Sequence, residues 1–75
     1  MAMTDKLKTK REILRRAKPS NWLEVSWDDG DNSLVLVVEK PEFRYGDVLI
    51  KVYMPDQKRL GHVVHSQVIR VVGVL

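Results

Sequence analysis

Two hydrophobic periods divide this chain at Asn21. Before it, Leu7, Leu14 and Ala17 recur at helical spacing with Ile13 beside them. Lys8, Arg11, Arg15 and Lys18 fall three, four and three residues apart on the opposite side. The stretch 5–17 contains neither glycine nor proline and is rich in Lys, Leu, Arg and Glu, all good helix formers. Thr4 offers an N-cap, Asp5 sits in the first turn, and Pro19 stops the run beyond Lys18. The pattern predicts a helix over 5–17. Lys6 and Lys10 intrude on its apolar side, so its C-terminal end is the part expected to dock.

After Asn21 the period falls to two. Leu23, Val25 and Trp27 alternate with Glu24 and Ser26, and the run "DDGDN" then turns the chain. A second strand over 33–40 is apolar on both faces at its centre. "PEFRYG" (41–46) reads as a loop, 47–54 as a third strand and 55–59 as a turn of Pro–Asp chemistry. Two last strands, 60–65 and 67–75, are separated by almost nothing. The expected architecture is mainly β: a basic helix and connector over 1–21, then a small, strongly bent five-stranded barrel over 22–75, together one domain.

The last strand poses a problem of its own. Val68, Ile69, Val71, Val72, Val74 and Leu75 make it apolar on both faces, and an edge of that kind aggregates unless something pairs with it. The strand before it leaves a second edge. Pairing between identical subunits would satisfy both, and a head-to-tail contact that closes makes a ring. Val63, Val68, Ile69 and Val71 are therefore the expected oligomer interface.

Charge sharpens the division made by the hydrophobic pattern. Across 5–18 seven cations face two carboxylates, a net +5, so the rest of a chain whose total is +3 carries −2. Positive potential gathered in one segment suits an anionic partner, although a solvated helix face has the same composition. Seventy-five residues without a cysteine cannot be stapled by disulfides or a thiolate zinc site. A small β-rich chain of that kind often completes its burial by oligomerising. No apolar run reaches the roughly 18 residues of a membrane span, so a soluble, cytoplasmic protein is expected, with no membrane partner.

Several short motifs align with a known family. Val25, Ser26, Trp27, Asp28, Asp29 and Gly30 form an apolar–x–apolar–x–Asp–Gly run. Leu14–Arg15–Arg16 precede that strand, and Leu60–Gly61, then His65–Ser66, then Ile69 and Val72 follow in the last two strands. In these features the chain resembles the Sm-like (LSm and Hfq-like) RNA-binding proteins. It departs from them at Val35, where the family has a glycine, and at His65–Ser66, where Sm proteins have Arg–Gly. Val64 stands where Hfq has a lysine. The resemblance implies an SH3-like or Sm-like barrel with an N-terminal helix, a homo-oligomeric ring, and RNA held at two places. Pore-side loops would contribute His65 and Ser66 from one turn and Phe43, Arg44 and Tyr45 from another, stacking on bases and contacting phosphate. The basic end of the helix would form an outer rim of Arg15, Arg16 and Lys18, continued by Arg11 and Lys8. Each group has a plain alternative: a turn histidine, aromatics folded back onto the barrel, a solvated helix.

Other chemistries fit less well. His62 lies three residues before His65, hence on the opposite face of a strand, which makes a poor metal pair. The aspartates of "DDGDN" lack EF-hand spacing. Nothing pairs a nucleophile with a positioned base, so no enzyme and no cofactor are expected. Single-stranded RNA is the expected ligand, with DNA a further possibility. Against it stands a second class, a protein-interaction module docking an acidic partner.

Overall fold

The computed structural model describes Glu12 and residues 15–75. These residues are mainly β, in six antiparallel strands: β1 Trp22–Ser26, β2 Asn32–Val37, β3 Glu42–Arg44, β4 Asp47–Met54, β5 Arg59–Val64 and β6 Val68–Gly73. A short 3-10 turn, His65–Gln67, links the last two. The sheet curls strongly into a half-barrel. Glu12, Arg15 and Arg16 have helical backbone and Ala17 does not, while the other residues of the expected helix over 5–17, Lys8 and Arg11 among them, lie outside the described residues.

The third strand was expected at 47–54 and is found there. The segment 41–46 is a correction, because it holds a strand rather than only a loop. β2 pairs with β4 at Leu36↔Tyr53 and Val37↔Val52, and β3 pairs with β4 at Glu42↔Leu49 through Arg44↔Asp47. β5 pairs with the same residues of β4, from Leu49↔Val64 to Met54↔Arg59. A strand has two edges, so β2 and β3 must share the one opposite β5. They act as a single broken strand. The break follows from Pro41, which is buried and has no N–H to give, and the last bond before it is Val38 N–H to the Lys51 carbonyl at 3.0 Å.

β1 pairs with β2 on one side and β6 on the other, so the sheet runs β6, β1, β2 with β3, β4, β5. Among the described residues, the outer edges of β5 and β6 pair with no strand. β6 carries register shifts between Trp22/Leu23 and Glu24/Val25, which leave Val72 and Ile69 as extra residues. Bulges of this kind twist an edge strand and change which side chains point inward. They explain part of the two-faced pattern of the last strand: Val68 and Val71 both pack against the core.

The core is the concave side. Leu23, Val25, Val35, Val37, Val48, Ile50, Val52 and Val63 are its largest fully buried side chains, joined by Ala17 and Met54. A Cβ at Gly61 would meet the Cε of Met54, the flexible end of a side chain that lies over the strand. Ala17 brings the end of the helical segment into the core. From there the connector is stitched down by Ser20 N–H to the Val37 carbonyl and Val37 N–H to the Asn21 carbonyl, both 2.9 Å.

Candidate nucleic-acid interface

Arg44, Tyr45, Gly46 and Asp47 close a two-residue hairpin. Tyr45 has φ 56° and Gly46 φ 77°, the double positive φ of a type I′ turn. Glycine suits its position. A tyrosine does not, because the left-handed region is costly for a side chain with a Cβ. Tyr45 is nonetheless 93% exposed, and Phe43 beside it is 60% exposed. Tyr45 thus does not fold back onto the barrel, and Phe43, on the face of the buried Val48, is still more than half exposed. Arg44 lies on the opposite face of β3 from Phe43, where its guanidinium pairs with Glu42 at 3.0 Å.

The other turn group lies across β4. Phe43 pairs with Val48 on one edge, while Val64, the residue before His65, pairs with Leu49 on the other. With strands about 4.8 Å apart, the backbones of Phe43 and His65 are on the order of 10 Å apart, near one end of β4. The two groups expected at a pore are thus brought near each other. Gln67, which the sequence reading did not single out, fixes the turn: its Oε1 accepts the Val64 N–H at 2.9 Å. Ser66 is exposed and His65 half-buried.

A second basic region sits at the end of the helical segment. Arg15, Lys18, Pro19, Lys40 and Pro41 line a depression of about 520 Å³. Arg15, Arg16, Lys18 and Asn21 line another of about 370 Å³ against Val71, Val72 and Gly73. Lys40 is new here. The break in the β2–β3 edge carries it to the rim, and neighbouring Glu39 is drawn away to Lys51 at 3.6 Å. The Lys–Pro pair signalled a break, but its place beside Lys18 depended on the sheet pairing. Asn21 holds the basic segment in place by donating its Nδ2–H to the Arg16 carbonyl at 2.8 Å. Glu12 lies 3.8 Å from Arg15 at the edge of this cluster.

The expected oligomer residues separate. Val63 is fully buried in the core, so its side chain cannot meet a neighbour, although its backbone lies in a free edge. Val68 and Val71 also pack inward, which leaves Ile69 as the half-buried bulge residue on the edge strand. His62 is exposed on the outer face, opposite Lys51. Among the described residues no group of three or more His, Cys, Asp or Glu could hold a metal ion, and no helix is long and apolar enough to cross a membrane.

No family model matches the chain, and no curated protein or solved structure is significantly similar to it.

Proposed function

We propose that this protein binds single-stranded RNA as a small Sm-like barrel whose copies join through their free edges into a ring. The observation that carries the RNA reading is Tyr45: a large aromatic held in a costly backbone conformation and left almost wholly in solvent. A strained, exposed aromatic contributes nothing to the core and is suited to stack on a base, with Phe43 beside it as a second stacking surface. The basic rim of Arg15, Arg16, Lys18 and Lys40 supplies phosphate contacts that carry charge but little sequence information. The strand order, ending on two free edges joined through one 3-10 turn, supports the assembly.

The test is anisotropy of a labelled A- or U-rich RNA, with matched DNA and a duplex as controls. Tyr45→Ala and Phe43→Ala are each expected to weaken binding by about 1–3 kcal/mol. Ile69→Asp is expected to reduce the sedimented mass, and it is a cleaner probe than Val71→Lys, which would also disrupt the core. Wild-type protein with no salt-dependent affinity for RNA would overturn the reading.

One observation favours a second reading. The depression between Arg15, Arg16 and Lys18 and the end of β6 lies beside a free strand edge. An extended acidic peptide could pair there by main-chain bonds while its carboxylates meet the cations.

A further inference from the structure

The barrel accounts for one apolar face of β2 but not the other. Val35 and Val37 point into the core, while Leu34 and Leu36 point outward. Residues directly opposite on paired strands share a face, and the register continues this outward surface across the sheet: Trp22↔Leu36, Leu36↔Tyr53, Tyr53↔Leu60. Trp22, Leu36, Tyr53 and Leu60 therefore form one apolar row over four strands on the convex side, with Leu34 two residues from Leu36 on the same face. Leu34 is 43% and Leu60 55% exposed. Trp22 stands at the β1 end of this row.

The flanks of the row indicate what it fits. On one side Arg70 Nε donates to Glu24 Oε1 at 2.8 Å; on the other Lys51 lies 3.6 Å from Glu39, with Arg44 and Glu42 paired beyond and His62 opposite Lys51. These three ion pairs all close within the chain. The barrel's other surfaces are less balanced. The rim is basic, and the β1–β2 turn carries Asp28, Asp29 and Asp31 with no cation among them. Two copies of a chain with charge +3 can meet on the convex face without setting like charges against each other.

We propose that this row is a self-association surface, where the convex face of one copy packs against the convex face of a second. The contact has an apolar centre and an internally neutralised polar border, the usual anatomy of a protein interface. It is independent of RNA and of the strand edges. Strands about 4.8 Å apart make the row roughly 14 Å wide, so pairing is expected to be weak and concentration-dependent.

The experiment is sedimentation of the full chain carrying Ile69→Asp, which keeps edge-to-edge assembly out of the reading, across a concentration series. The mass is expected to rise from one copy to two, and to do so equally at about 0.1 and about 1 M salt, because burial of apolar surface is not screened. Adding Leu34→Glu with Leu60→Glu is expected to weaken the pairing by roughly ten-fold or more, and Leu60→Lys to act in the same direction. Both positions tested on this face, Leu34 and Leu60, are exposed enough to keep the fold, which thermal melting checks. A mass that stays at one copy at the highest concentration reached, or a mass distribution that the two glutamates leave unchanged, overturns the proposal.

Discussion

The turn between β1 and β2 and the turn between β3 and β4 each carry a large aromatic residue, and the protein treats the two in opposite ways. In the first, Trp27 packs against the core and its Nε1–H donates to Ser33 Oγ at 2.9 Å. Ser33 in turn donates to Asp56 Oδ2 at 3.3 Å, which ties this turn to the one between β4 and β5. Trp27 and Asp31 close the loop with a 2.8 Å bond. Gly30 takes the positive φ of 92°, and Asp29 Oδ1 accepts the Asp31 N–H at 3.0 Å. Every special position holds a residue suited to it. In the second turn a tyrosine takes the positive φ and packs on little. A turn that obeys local rules throughout maintains the fold, while one that breaks a rule without structural return points to function.

The largest expected effect comes from breaking the first turn. Trp27→Ala removes a packed indole and leaves Ser33 without its donor, and should lower unfolding free energy by roughly 3 kcal/mol in a urea melt. The corresponding change in the second turn, Tyr45→Ala, should leave the urea midpoint nearly unmoved while weakening RNA binding by about 1–3 kcal/mol. If Tyr45→Ala unfolds the protein as readily as Trp27→Ala, the contrast between the turns is lost.

The two turns were also unequally legible from sequence. "DDGDN" between alternating runs marks a hairpin by its own chemistry, and Leu23, Val25 and Trp27 were legible as the inward set because one strand face alternates cleanly. Residues 41–46 were misread because Pro41 and Gly46 suggested a loop, and the three paired residues between them form a strand only because β4 offers an edge. Lys40 reached the rim by the same pairing, so no local pattern could place it there. Val63, Val68 and Val71, though not Ile69, turned inward for a different reason. Periodicity reports that a residue is apolar, not which apolar surface it joins, and the bulges of β6 shift the alternation in a way no residue type announces.

A smaller effect tests the link from the first turn to its neighbour. Ser33→Ala removes the hydroxyl shared by Trp27 and Asp56, and should cost about 1 kcal/mol of stability without changing RNA affinity. Asp56→Asn should cost less, since it keeps an acceptor for the Ser33 hydroxyl. Thermal melts of both variants give the order. Equal losses would mean that the charge, not the hydrogen bond, joins the turns.

The rim offers a comparison of the same kind against the Tyr45 turn. Replacing Arg15, Arg16 and Lys18 together by Ala should flatten the salt dependence of RNA binding by about 0.7 per lost phosphate contact, and Lys40→Ala should add a further step of the same size. Sequence preference should survive, because phosphate contacts carry little of it. An unaltered slope would return this segment to a solvated helix end.

The smallest expected effect is also the sharpest, because its sign differs between two measurements on one variant. Asparagine followed by glycine is the favoured pair for a two-residue type I′ turn, and Tyr45→Asn would place that pair at 45–46. Asparagine accepts positive φ more readily than tyrosine does, and Tyr45 has little packing to lose at 93% exposure. The variant should therefore melt higher, by a gain of a few tenths of a kcal/mol and at most about 1. Its RNA affinity should fall as far as that of Tyr45→Ala, because asparagine has no ring to stack. A residue retained against local backbone preference and needed for binding must show both signs. If Tyr45→Asn loses stability, the ring makes a structural contact and the turn belongs with its neighbour after all. If it gains stability and keeps full RNA affinity, the tyrosine is dispensable on both counts, and the base-stacking reading of this hairpin falls.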